Sequence, residues 1–297
     1  MLRGPAASYG RHTLVKGGGL DLDAGTYLVA PHLGRPNAAL FGVAAGLAAS
    51  SGAELRVLAC CAPRLVSYND DVVLPDELHR DRPRIEAAFR AARAEFDRLV
   101  LAPGSAALWQ EAVTFQDLAR FLADEARSAD LVVIPAQRGP QQAPDGTGLN
   151  VGALALQAGR AVLVVPPDVA ELSLDHVLIA WKDRRECRRA VADALPLLRR
   201  AGQVTILELT EPADCPAALL RLEAVSAWLA RHGIAALARA EPLSGGDGMQ
   251  IEHAARQLAA GLIVAGAYGH CRLQEWMFGG VTRTLLSVAT QCLLLSH

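Results

Sequence analysis

The chain has 297 residues, 52% of them hydrophobic, 20% charged and 5% aromatic, with a formal net charge of −2. That length holds about two domains, and the composition supports aliphatic cores that need neither disulfides nor metals. The balanced charge lacks the basic footprint of a nucleic-acid binder or a polybasic membrane patch. The longest apolar runs, such as residues 161–167, fall far short of the ~20 residues that span a bilayer.

The cysteines Cys60, Cys61, Cys187, Cys215, Cys271 and Cys292 show no C-x-x-C pair, and no histidine pair has metal-ligand spacing, so a reducing cytoplasm is the expected compartment. Cys60 and Cys61, adjacent on a strand, should face opposite sides with one of them buried. Residues 1–25 are expected to be a lead-in without a signal-peptide core.

From Tyr27 the pattern alternates strand and helix. A short strand at residues 28–30 leads through His32, Gly34 and Pro36 into a small-residue helix at 37–50, and a second strand covers 54–61. Residues 64–82 read as a long polar connection. Apolar residues then recur at Ile85, Ala88, Phe89, Ala92, Phe96 and Leu99, a helical period that predicts a helix over 84–101. A strand at 106–113, a helix at 114–128 capped by Thr114, a buried strand at 130–134, a helix ending near 158 and a strand at 161–165 complete the first set. Pro166-Pro167-Asp168 marks a boundary, after which the order restarts. Strands at 176–181, 203–209, 234–240, 261–266 and 292–295 alternate with helices at 186–201, 216–232, 249–260 and 280–289. The expected class is α/β: two tandem doubly wound domains, residues 26–168 and 174–297, each a five-stranded parallel sheet flanked by helices and related by duplication.

In such sheets ligands sit beyond the carboxyl ends of the strands. In the second half the apolar strand ending at Gly266 is followed by Gly269, nine residues later by Gly279, and then by Gly280-Val281-Thr282 at the start of a helix. Glycines between a strand and a helix N-terminus let backbone N–H groups approach an anion closely, which predicts a phosphate cradle. The same spacing also fits a tight strand-to-helix turn with no ligand. His270 and Arg272 lie within the loop as phosphate contacts or solvated side chains, and Arg283 in the first helical turn is unfavourable to the helix dipole unless an anion lies nearby. Tyr268 and Trp276 are candidate pocket residues, with helix packing the alternative for Trp276. No Ser/His/Asp set, metal cluster or carboxylate pair emerges.

These residues resemble the universal stress protein family, in tandem, from about residue 26 onward. Gly266-x2-Gly269-x9-Gly279 matches that family's nucleotide loop in all three glycines and both spacings. The resemblance implies an adenine nucleotide α-hydrolase-like fold and ATP or a related adenine nucleotide, with Mg as its companion. The residues it points to are Gly266, Gly269, His270, Arg272, Gly279, Gly280, Val281 and Thr282, with Trp181 and Lys182 at the end of the first strand. It also implies pairing of the two halves through their last strands as an intramolecular pseudo-dimer, with a homodimer as a further option.

Two departures modify that expectation. Gly280 stands where the family carries Ser or Thr, leaving Thr282 to substitute in part, and the lost hydrogen bond weakens binding by about 1.5–3 kcal/mol. Lys182 stands near the place of an acidic residue, with Asp183 displaced by one, so Lys182, Arg184 and Arg185 favour a polyphosphate; the run of Arg184, Arg185, Arg188 and Arg189 otherwise reads as a solvated helix face. In the first half Pro135 and Arg138 replace two glycines and only Gly148 remains, so that half is expected to be a degenerate partner. The expected function is a stress-response or signalling protein whose nucleotide occupancy modulates conformation or an unidentified protein partner, with at most slow ATP hydrolysis. A nucleotide-independent interaction scaffold, and an enzyme of the wider α-hydrolase-like group, stay open as alternatives.

Overall fold

The computed structural model describes residues 11–15, 25–63, 67–68, 71–72, 75–100, 107–137, 148–267 and 280–297. The first half contains β1 (Arg11–Val15), β2 (Thr26–Val29), α1 (Ala38–Ser51), β3 (Glu54–Cys61), the small pair β4 (Ser67–Tyr68) and β5 (Asp71–Val72), α2 (Pro75–Leu99), β6 (Ala107–Val113), α3 (Leu118–Glu125), β7 (Leu131–Pro135), α4 (Val151–Gln157) and β8 (Ala161–Val165). The second contains β9 (His176–Trp181), α5 (Arg185–Leu198), β10 (Gln203–Thr210), α6 (Cys215–Arg231), β11 (Ala236–Pro242), α7 (Asp247–Gln257), β12 (Leu262–Gly266), α8 (Gly280–Val288) and β13 (Cys292–Ser296).

The large sheet runs β1-β6-β3-β2-β7-β8-β13-β12-β9-β10-β11. Within each half the five parallel strands take the order third, second, first, fourth, fifth, as the duplicated pattern requires. The halves fuse where β8 and β13 pair antiparallel, Leu163 against Leu294. The two doubly wound sets thus share one eleven-stranded sheet, joined through their last strands.

Alternate residues of each strand point to opposite faces, and both faces are covered, which is why the strands read as continuous apolar runs. One face buries Val57, Val133, Val177, Ile179 and Val264 under α1, α2, α5 and α6. The other buries Leu58, Val132, Leu178, Ile263 and Leu293 under α3, α4, α7 and α8. Cys60 and Cys61 do face opposite sides, but both are buried, because neither face of β3 meets water. Burial pushes the Cys61 thiol up to about 11 and the Cys292 thiol up to about 12.

Four local expectations change. β1 lies within the stretch read as a lead-in and pairs antiparallel with β6, Thr13 against Trp109, a partner too remote in sequence to leave a local signal. The helix α2 begins at Pro75, inside the supposed connection, where proline suits a first helical turn. Pairs such as Arg82–Glu86 (2.9 Å) and Arg93–Asp97 (2.7 Å) run along its exposed side. The N-cap of α3 is Asp117, accepting from the Ala119 and Arg120 amides at 3.0 and 3.1 Å, while Thr114 closes a turn on Gln116 N. Finally, β11 starts at Ala236 because Ile234 still belongs to the end of α6, its amide donating to the Leu229 carbonyl.

Candidate functional site

The carboxyl ends of β9, β10 and β12 and the N-termini of α5, α7 and α8 enclose a cleft of about 490 Å³. Its apolar part comes from Ala180, Leu207, Leu209, Ile251 and Ala265, and its polar lining includes Lys182, Arg184, Glu186, Asp247 and Thr282. Trp181, Gly266, Gly280 and Val281 also line it. Of the residues expected from the sequence, Trp181, Lys182, Gly266, Gly280, Val281 and Thr282 are therefore brought together. Gly269, His270, Arg272 and Gly279, with Tyr268, Cys271 and Trp276, lie outside the described residues.

Gly266 is explained by packing as well as by the loop motif. A Cβ there would stand 2.7 Å from Cys187 N, 2.8 Å from Glu186 C and 3.0 Å from Cys187 Sγ, so glycine lets β12 meet the first turn of α5. Gly248 acts likewise between two helices: an added Cβ would lie 2.6 Å from Thr284 Cβ, so glycine permits the close approach of α7 to α8. By contrast, nothing lies within 4 Å of a Cβ built on Gly280. The helix α7 is the part of the site that the sequence reading missed. The signal was Gly245-Gly246-Asp247-Gly248, a second glycine-rich strand-to-helix junction.

Histidine 297 fixes the exit from β12. Arg185 Nη2 can only donate, so His297 Nε2 accepts from it at 3.1 Å and Nδ1–H donates to the Ala267 carbonyl at 2.9 Å. The arginine-rich run is exposed but not merely solvated: Arg185 pairs with Glu186 (2.9 Å), Arg188 with Asp183 (2.7 Å) and Arg189 with Asp193 (3.0 Å). Lys182 and Arg184 form no ion pair among the described residues and face the cleft. Cys187 is buried at the cleft wall, and that burial pushes its thiol up, the opposite of an activated thiolate.

Glu186, buried in the first turn of α5, has a perturbed carboxyl. Burial pushes it up, but hydrogen bonds from Arg185 and from its own amide, together with the Arg185 charge, outweigh that and hold it below the usual carboxylate range. A carboxyl whose folded value lies below its unfolded value of about 4.3 stabilises the fold at neutral pH and loses that contribution as the pH falls through the lowered value. Glu186→Gln is therefore expected to flatten the acid limb of stability below about pH 5. Urea midpoints across that range check this, and an unchanged limb would count against it.

Helix capping distinguishes α3 from its counterpart α7. In the first half, α3 is capped by Asp117, α4 by Asn150, whose side chain accepts from Ala153 N at 2.9 Å, and the Asn37 amide that opens α1 donates to both Glu95 carboxylate oxygens at 3.0 Å. The first-turn amides of α3 and α4 thus hold an acceptor from the chain itself, whereas α1, like α5, makes no side-chain cap bond and Glu95 takes the amide of its N-cap residue. In the second half the N-caps of α5 and α7, Arg184 and Gly246, make no side-chain cap bond. Glu186 and Asp247 add negative charge to those first turns, but no acidic residue lies in the first turn of α8. Uncapped first-turn amides favour an anion.

Solved structures with this architecture can be recognised. A universal stress protein from Archaeoglobus fulgidus DSM 4304 superposes with a TM-score of 0.67 over 92% of this chain and 96% of its own, at 16% identity. The chain has the fold of the universal stress proteins, in tandem. A Pseudomonas aeruginosa UCBPP-PA14 protein proposed to be a universal stress protein superposes with a TM-score of 0.56 at 17% identity, over 92% of this chain and 93% of its own. A functionally unknown protein from Pseudomonas aeruginosa PAO1 does so with a TM-score of 0.56 at 16% identity, over 92% of each chain. No protein-family model and no curated protein matches the sequence. Within the universal stress protein fold, the cleft described above lies at the switch point of the second half, between its first and fourth strands, where open α/β sheets take their ligands. Among the described residues no group of acidic, histidine or cysteine side chains is arranged to hold a metal, and no helix is long and apolar enough to cross a membrane.

Proposed function

We propose that this chain is a tandem universal stress protein that binds ATP or a related adenine nucleotide, with Mg as the nucleotide's companion, in the cleft of its second half. The observation that carries the reading is the contrast in helix termini at equivalent ends of the two halves. Asp117 caps α3 in the first half, whereas its counterpart α7 in the second makes no side-chain cap bond and borders an apolar cleft. An apolar floor suits a base, and the amides of the first turn of α8 suit a phosphate. Gly269, His270, Arg272 and Gly279 belong to this reading through their place in the sequence motif.

The domains in this reading are residues 26–168, a pseudo-symmetric partner, and 174–297, the nucleotide domain. Occupancy modulates the conformation of the chain or its binding of a protein partner. The free cysteines Cys60, Cys61, Cys187, Cys215 and Cys292 fit the cytoplasm as compartment.

Calorimetric titration of the purified protein with ATP and Mg tests the reading. Saturable binding of one nucleotide per chain is expected, and no binding at millimolar ATP would overturn it. Thr282, buried at the cleft wall, is expected to contribute its hydroxyl to the ligand. Thr282→Val should then weaken ATP binding roughly tenfold to a hundredfold, as loss of a hydrogen bond to a charged group does.

A further inference from the structure

The third strands of the two halves, β6 and β11, are equivalent under the duplication, but their outer edges end differently. The edge of β6 is taken by β1, whereas β11 pairs with β10 alone among the described residues. Just past β11, the Leu243 amide donates to the Thr210 carbonyl at 2.8 Å. Alternation along the strand therefore turns the N–H and C=O groups of Ala236, Ala238 and Ala240 outward, to the open edge. The face of β11 that carries Leu237 also complements itself. Leu237, Arg239, Glu241 and Leu243 follow at every second position as apolar, positive, negative, apolar. Leu237 is 57% exposed, and neither Arg239 nor Glu241 forms an ion pair among the described residues. Their neighbours on β10, Leu207 and Leu209, are apolar and offer no counter-charge.

We infer that the chain forms a two-fold dimer in which β11 pairs antiparallel with β11 of a second copy, centred on Ala240. In that register each Arg239 stands opposite Glu241 of the second copy and each Leu237 opposite its Leu243. Opposite charges facing each other across strands stabilise the pairing, and like charges oppose it. Centring on Arg239 would set two arginines face to face, and centring on Ala238 would set Arg239 against Leu237, so the charges select one register. The two Ala240 residues on the axis exchange N–H···O bonds, and each Ala238 N–H meets the Pro242 carbonyl opposite. Pro242 has no N–H to give, and the pairing ends there. Because β1 covers the other edge of the sheet, association closes at two copies. The interface needs no nucleotide and stands apart from that reading.

Sedimentation velocity of the full chain, from micromolar to submillimolar concentration, is expected to show a reversible monomer–dimer equilibrium. Arg239→Glu and Glu241→Arg each create two like-charge contacts per dimer and should weaken it at least about tenfold. The double exchange Arg239→Glu/Glu241→Arg restores both pairs and should bring the affinity back to within about threefold of wild type. Ala240→Pro removes an outward N–H without touching the ladder to β10, and should give a folded monomer, its fold checked by the urea midpoint. A monomer at every concentration, growth beyond two copies, single variants that dimerise as wild type does, a double exchange that fails to recover, or a folded Ala240→Pro that still dimerises would each overturn the inference.

Discussion

Gly266→Val is expected to lower the free energy of unfolding by about 3 kcal/mol, the upper part of the range for overpacking a well-packed interior. The atoms that an added Cβ would meet at 2.7 and 2.8 Å are backbone, Cys187 N and Glu186 C, and cannot turn aside as a flexible side chain would. The strand β12 must then withdraw from α5, and since the two elements jointly support the cleft, nucleotide binding should weaken together with stability. Urea unfolding of the variant measures the first effect and titration with ATP the second. Gly280→Val provides the contrast: with open space around its Cβ, it should cost no more than about 1 kcal/mol of stability. Equal destabilisation of the two variants would show that Gly266 is not a packing glycine.

Glu95→Ala is expected to cost about 1.5–3 kcal/mol, the value of a hydrogen bond to a charged group lost at a partly buried position. Its carboxylate accepts the Asn37 amide through both oxygens from 58 residues away, and Asn37 in turn ties the loop by bonding the His32 amide at 2.8 Å and the His32 and Arg35 carbonyls at 3.0 and 2.9 Å. Glu95→Gln should recover part of the loss, since one neutral acceptor remains. Neither variant is expected to add a nucleotide site to the first half, because Asp117 and Asn150 still fill the termini of α3 and α4. Denaturation midpoints and binding stoichiometry check both parts, and a second bound ATP per chain in Glu95→Ala would show that Glu95 alone closes that half.

The alternation of strand and helix and the tandem arrangement were legible because each depends on neighbours within a few residues. The role of Gly266 against α5 was not, since its spacing is equally that of a phosphate loop and the contact is with residues about eighty positions earlier. Trp181 and Lys182 could be placed at a strand end from the apolar run before them. That the indole N–H is buried without an acceptor among the described residues, and that Arg184 rather than Arg185 lines the cleft, follow only from tertiary packing.

By itself the sequence determined the alternation of strand and helix and the duplication, because hydrophobic period and turn chemistry act over a few residues at a time. The tertiary structure decided that β1 closes one edge, that β8 and β13 merge two sheets into one, and that α7 completes the cleft. It also decided which remote acceptor meets a loop amide, as Glu95 does for Asn37. Those outcomes depend on which remote surfaces can be buried against one another and which remote acceptor reaches an amide, and no local pattern along the chain encodes either.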